Sequence, residues 1–277
     1  MWSHPEKDRR MNADGEADPM DFISGARIFY CPEAAGKYAK TGKADFLVHL
    51  MPEEAHHCTR VLRLQSGDHV RLFDGAGYFY DGQLLSVDRK HVSVEVNRRM
   101  ASRAETRCRL IMLVAMLKGK KVDLVIQKAV ELGVAELRFF PAHRSVARIS
   151  GAKGEGRERW DGIVINACKQ CGRAECMPVL AYDSLDAALG GLPDHGARYV
   201  FWEELAGETL PKRHDESGES GKNMVAMIGP EGGFTSEEIE RVQAAGFQQR
   251  SLGPRILRAE TAAIVAASIL LHENGEI

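Results

Sequence analysis

The sequence predicts an α/β chain in two parts: a small β barrel, then a mainly parallel sheet with helices on its faces. Three observations carry that expectation. Short alternating or apolar runs separated by turn residues fill Arg27 to about Val96, the spacing of a small all-β unit. From Leu110 onward, strand-like runs alternate with stretches of helical periodicity, which implies parallel pairing through helical crossovers. Near the C-terminus two glycine-rich turns each join a strand-like run to a helix-like one, where open α/β sheets bind ligands.

In chain order, residues 1–24 are almost devoid of apolar side chains and are expected to stay disordered. Trp2-Ser3-His4-Pro5 looks like the start of a streptavidin-binding affinity tag without its remainder, so the segment is a tail or tag. Residues 25–97 make the barrel domain. Its strands are read at His69 to Phe73, Tyr78 to Tyr80, Gln83 to Val87 and His91 to Val96, with Asp74-Gly75, Asp81-Gly82 and Asp88 as turns. One helix, Pro52 to Arg63, interrupts them and sets His56, Arg60 and Arg63 on one side. Residues 98–109 are read as a basic linker, because the β pattern stops there.

Residues 110–277 form the second domain. Leu110 to Met116 is a buried strand, followed by an amphipathic helix through Val122, Val125, Ile126, Ala129 and Val130 with Gly133 at its C-cap. Strands at Leu137 to Phe140 and Tyr199 to Trp202 flank a helix marked by Trp160, Val164, Ala167 and Cys168. Polar composition between Glu204 and Asn223 reads as a mobile surface loop. The last stretch, Thr261 to Leu271, has no charge and is apolar all round, so it must be buried on several sides. A two-fold partner is the commonest cover, and a homodimer touching through Ala263, Ala266, Ala267 or Leu270 is expected.

Composition narrows the class. The chain has 277 residues, 44% apolar and 27% charged, comfortable for two soluble domains. No apolar run is long enough for a membrane span and no secretion signal opens the chain, so a cytoplasmic location is expected. The net charge of −2 argues against a nucleic-acid partner, but it averages an acidic N-terminus with a basic stretch at Arg98, Arg99, Arg103, Arg107, Arg109, Lys118 and Lys121. A local basic surface remains compatible with RNA. Cys168, Cys171 and Cys176 suggest a metal cluster only superficially: the first two lie on an apolar helical stripe, so no metal is expected. The adjacent His56, His57 and Cys58 point in different directions on a helix and do not chelate either.

The two turns are Gly229-Pro230-Glu231-Gly232-Gly233 and the segment Leu252 to Thr261. The first follows the apolar run Val225 to Ile228 and precedes Thr235 and Glu238, which have the spacing of a capping box. Neither carries the lysine of a phosphate cradle nor a dinucleotide fingerprint, so a nucleoside without phosphates is the better ligand.

These residues resemble the ribosomal RNA small-subunit methyltransferase E family, uridine-N3 methyltransferases of the SPOUT class. The resemblance rests on Gly229 to Phe234, on Leu252, Gly253, Arg255, Leu257, Arg258, Glu260 and Thr261, and on Lys121, Asp123, Gln127, Lys128, Glu131 and Gly133. Gln170, Gly172 and Arg173 belong to it, as do His56, His57, Val61, Leu62, Arg63, Gly67 and Asp68; it runs from about Ala26 to the end. It implies a PUA-like RNA-binding barrel and, in place of an ordinary doubly wound sheet, a C-terminal trefoil knot. It implies S-adenosylmethionine held by Gly229, Glu231, Gly232, Gly233, Leu252, Gly253 and Leu257, and 16S rRNA of the small ribosomal subunit as substrate. RNA contacts are expected from His56, Arg60, Arg63, Arg98, Arg99, Arg103, Lys118, Lys121, Gln170 and Arg173.

Uridine N3 is a poor nucleophile until its proton leaves, and a guanidinium bonded to the adjoining carbonyl would stabilise the developing anion. Arg258 is the first choice for that role, with Arg255 and Glu260 beside it. Lys169 stands where the family often has glutamate, so no base is expected there. Two other readings stay open: a 2′-O-ribose methyltransferase of the same fold, and a non-catalytic RNA-binding assembly factor.

Overall fold

A computed structural model describes residues 27–88, 91–145, 155–202 and 223–277. The expectations for residues 1–24 and for nearly all of the loop from Glu204 lie outside these. The chain divides into two compact units: residues up to Arg103 together with Lys169–Glu175, and Ala104–Cys168 with Cys176–Ile277.

The first unit is a five-stranded sheet in the order β1, β3, β4, β5, β2, formed by β1 (Ile28–Tyr30), β2 (Phe46–His49), β3 (His69–Phe73), β4 (Tyr78–Val87) and β5 (Val92–Ala101). β1 runs parallel to β3 and the other pairs are antiparallel. Its core gathers Phe29, Val48, Leu72, Tyr80 and Val94. Helix α1 (Glu33–Thr41), absent from the sequence reading, connects β1 to β2 and ends on Gly42 in the left-handed region.

Two sequence expectations are corrected here. Asp81-Gly82 is no turn: β4 runs through it with a bulge, and a Cβ on Gly82 would stand 2.3 Å from the Glu95 carbonyl oxygen. The glycine signal marks close backbone approach, while Asp81 makes a two-pronged ion pair with Arg71 at 2.7 and 3.0 Å. Nor does the β pattern stop at residue 97, because β5 continues to Ala101 and carries Arg98 and Arg99. The helix α2 (Pro52–His56) widens into a π-helical turn over His57–Val61, and Arg63 follows with a φ of 53°. That change of pitch breaks the helical spacing expected of His56, Arg60 and Arg63, although all three stay exposed.

The second unit is a six-stranded sheet in which every pairing is parallel. Its order is β11 (Gln248–Arg250), β9 (Ala197–Phe201), β10 (Asn223–Ile228), β6 (Arg109–Ala115), β7 (Glu136–Phe140), β8 (Val179–Ala181). The central strands are buried on both faces, as parallel sheets require. The connecting helices are α3 (Lys120–Leu132), α4 (Glu155–Cys171), α5 (Leu185–Leu189), α6 (Ser236–Ala244) and α7 (Ala259–Glu273). Gly133 ends α3 with φ 90°, and the Thr235–Glu238 capping box opens α6.

From β11 at the sheet edge the chain returns to lay α7 over α3, β6 and β10. The architecture is a small β unit followed by a parallel α/β unit, in the expected order. Arg250 ties the strand to the helix through a bidentate pair with Glu273 at 2.8 and 3.0 Å. Ala263, Ala266, Ala267 and Leu270 are all buried by this packing within one chain. The face of α7 that keeps partial exposure instead includes Val265 and Ile269.

Candidate active site

The second unit contains a cavity of about 370 Å³ at the carboxyl ends of its strands. The glycine loop after β10 forms one wall, the segment Ser251 to Arg258 after β11 another, and Phe201 and Trp202 at the end of β9 a third. Lys121, at the start of α3 after β6, completes the rim. Four loops meet here because parallel pairing brings all strand ends of one sense to one edge.

Of the residues predicted to hold a cofactor, Gly229, Glu231, Leu252, Gly253 and Leu257 line the cavity. Gly232 and Gly233 shape the turn behind it. The Gly233 amide donates to the Pro230 carbonyl at 3.0 Å, and the Gly232 carbonyl accepts from Arg144 at 3.2 Å. Two of the glycines are also required by the protein's own packing and backbone. A Cβ at Gly229 would sit 3.0 Å from the Phe234 ring, which is buried and stacked parallel to Phe140. Gly253 has open space around a Cβ but a φ of 100°, so its backbone conformation is what demands glycine.

Arg258 is the N-cap residue of α7; it and Arg255 are exposed and line the cavity. Glu260, two residues on, is buried, with no hydrogen-bond partner for Oε2 among the described residues. Lys121 donates to Glu231, and its Nζ is 3.7 Å from Glu260 Oε2. The Glu231 bond holds the Lys121 ammonium above its ordinary pKa and the Glu231 carboxyl below its own. Lys121, expected on a phosphate-binding surface, is therefore part of the cavity. The sequence reading missed Phe201, Trp202, Ser251 and Ile256 as lining residues. Trp202 could have been found, since it ends a predicted strand whose neighbours carry the two glycine loops.

The remaining predicted RNA contacts differ in burial. Lys118, Arg98, Arg103 and Gln170 are exposed. Arg99 is half-buried, with its guanidinium 3.9 Å and 3.3 Å from the ring centres of Tyr38 and Tyr78, a cation–π sandwich inside the first unit. Arg173 is buried, contrary to a surface role. Arg107 and Arg109 are tied to Glu276 and Glu136. Lys169 pairs with the buried carboxylate of Glu54. Six free thiols are present, four of them buried, and no cluster of three or more metal-ligating side chains occurs among the described residues.

A model of the RNA methyltransferase domain matches residues 104–271, and one of the RNA methyltransferase PUA domain matches 52–97. The ribosomal RNA small subunit methyltransferase E of Bacillus subtilis is 32% identical over 234 residues, which is 80% of this chain and 88% of that protein. The chain belongs to the ribosomal RNA small subunit methyltransferase E family. A solved family member from Neisseria gonorrhoeae, bound to S-adenosyl methionine, is 29% identical with a TM-score of 0.77, covering 89% of this chain and 97% of that one. A methyltransferase from Legionella pneumophila in complex with the same cofactor is 30% identical, also at 0.77 and with the same coverage. The RNA methyltransferase match covers the second unit as far as residue 271, and the PUA match falls within the first.

Proposed function

We propose that this protein transfers a methyl group from S-adenosylmethionine to N3 of a uridine in 16S rRNA of the small ribosomal subunit. It acts as a homodimer in the cytoplasm. The observation that carries the reading is the cavity itself: about 370 Å³, built from the two glycine loops, with apolar faces beside the charged groups Lys121, Glu231, Arg255 and Arg258. Leu252, Leu257, Ile228 and Trp202 offer apolar faces to a purine. The indole nitrogen of Trp202 is buried without a partner among the described residues, a donor that a nucleoside can satisfy. Neither glycine loop carries the sequence pattern of a phosphate cradle.

S-adenosylmethionine, when bound, supplies a methyl carbon activated by a sulfonium. The chain's own part is to orient and to stabilise charge. Gly253 and Gly229 fix the loop shapes, and Arg258 donates to the uracil carbonyl beside N3 as negative charge develops there. Arg255 adds positive potential on the same loop. Exposed Arg98, Arg103, Arg60 and Lys118 hold RNA phosphates.

Small subunits lacking the modification, incubated with labelled S-adenosylmethionine and digested to nucleosides, are expected to yield 3-methyluridine. Label in a 2′-O-methylated nucleoside favours the ribose methyltransferase, and no transfer at all the assembly factor. Arg258→Lys keeps the charge but loses the planar fork, and transfer should fall by about 10² with cofactor binding retained. Full transfer by that variant removes Arg258 from the mechanism.

A further inference from the structure

The charges around the cavity are unevenly solvated. Glu231, on the first glycine loop, has a side chain 41% exposed, whereas Glu260, in the first turn of α7, is 11% exposed. Water can serve the first carboxylate. It does not reach Oε2 of the second, which has no hydrogen-bond partner among the described residues. The cation facing both is Lys121, bonded to Glu231 and 3.7 Å from that orphaned oxygen. An uncompensated buried carboxylate is among the costliest groups a fold can hold.

We propose that Lys121 is the positioning residue of the cavity, joining the first glycine loop to the start of α7 by compensating buried Glu260, and that it makes no RNA contact. Three segments distant in sequence meet at its ammonium: α3, the loop after β10, and α7. Arg258 and Lys118 also act on Glu231 electrostatically, but both are exposed. Without Lys121, Glu260 would recover solvent only if α7 moved outward, and Arg258 and Ala259, two cavity walls, precede it directly. The proposal rests on the reading of the cavity as a cofactor site.

The test is calorimetric titration of the full chain with S-adenosylhomocysteine, together with a salt series of RNA binding. Wild-type protein that binds no ligand defeats the cofactor reading itself, a result distinct from those that follow. Lys121→Met is expected to weaken ligand binding by about tenfold or more. Lys121→Arg should stay within about threefold of wild type, and the double variant Lys121→Met with Glu260→Gln should recover most of the loss, because no charge then needs compensation. The salt slope of RNA binding should be unchanged in all three. Ligand affinity unaffected in Lys121→Met, a double variant no better than the single one, or a slope lower by about 0.7 or more overturns the proposal. Should Lys121→Met not fold, the Arg variant decides alone: a tenfold loss of affinity there, or a lowered slope, overturns it.

Discussion

Replacing Gly229 by alanine tests whether the first glycine loop is shaped by its own phenylalanine. The added Cβ would lie 3.0 Å from both Cδ2 and Cε2 of Phe234, several tenths of an ångström inside ordinary contact. The ring cannot simply swing away. It is 1% exposed and stacks on Phe140 with centroids 6.5 Å apart and planes 4° apart. Overpacking of this kind costs about 1–3 kcal/mol, and forfeiting the aromatic contact another 0.5–1.5 kcal/mol or so if the ring is displaced. Urea unfolding monitored by circular dichroism should therefore show a loss of about 1–3 kcal/mol, with weaker binding of S-adenosylhomocysteine because Gly229 itself lines the cavity. The decisive measurement is a double-mutant cycle with Phe234→Leu, whose side chain can leave room for the methyl. A favourable coupling of about 1 kcal/mol is expected. Additive effects of the two substitutions, or a fully stable Gly229→Ala protein, would refute the steric account and return the glycine to a role at the ligand.

The other predictions concern RNA, assembly and pH. Replacing exposed Arg98 and Arg103 by glutamine should lower the salt slope of RNA binding by about 0.7–0.9 per lost contact, whereas Arg99→Met should leave the slope unchanged and destabilise the first unit by about 1–3 kcal/mol, losing two ring contacts. Val265→Glu and Ile269→Glu, on the half-exposed face of α7, should yield folded monomers by light scattering, while Ala266→Glu should unfold the chain; a monomeric, active wild type at micromolar concentration would remove the dimer. Burial pushes the thiols of Cys31, Cys58 and Cys108 from 9.0 up to about 11. Between those values the unfolded chain ionises while the native one keeps its protons, so their contribution to stability is complete below pH 9 and is lost as pH climbs toward 11. Denaturation midpoints rising over that window would contradict the burial of these thiols.

What the sequence made legible was local. Thr235 and Glu238 fix a helix start within four residues, and Gly133 fixes a helix end, because capping involves neighbours along the chain. The glycine loops could be placed at strand ends for the same reason. Signals with more than one physical cause misled: Asp81-Gly82 has turn composition, yet the glycine is there because the Glu95 backbone leaves no room for a Cβ. Lys121 shows the limit most clearly. Beside Lys118 and Lys120 it reads as one more cation of a basic surface, since its partner Glu231 is 110 residues away and only the parallel order of β6 and β10 brings the two loops together. The uniformly apolar α7 told that it is buried but not by what, for periodicity carries no information when every face is apolar. The fold answers by covering Ala263, Ala266, Ala267 and Leu270 itself, and leaves Val265 and Ile269 among the half-exposed side chains of the helix. Those two side chains lie on the helix that Arg258 and Glu260 begin, so a partner seated there would press on the same element that closes the cavity.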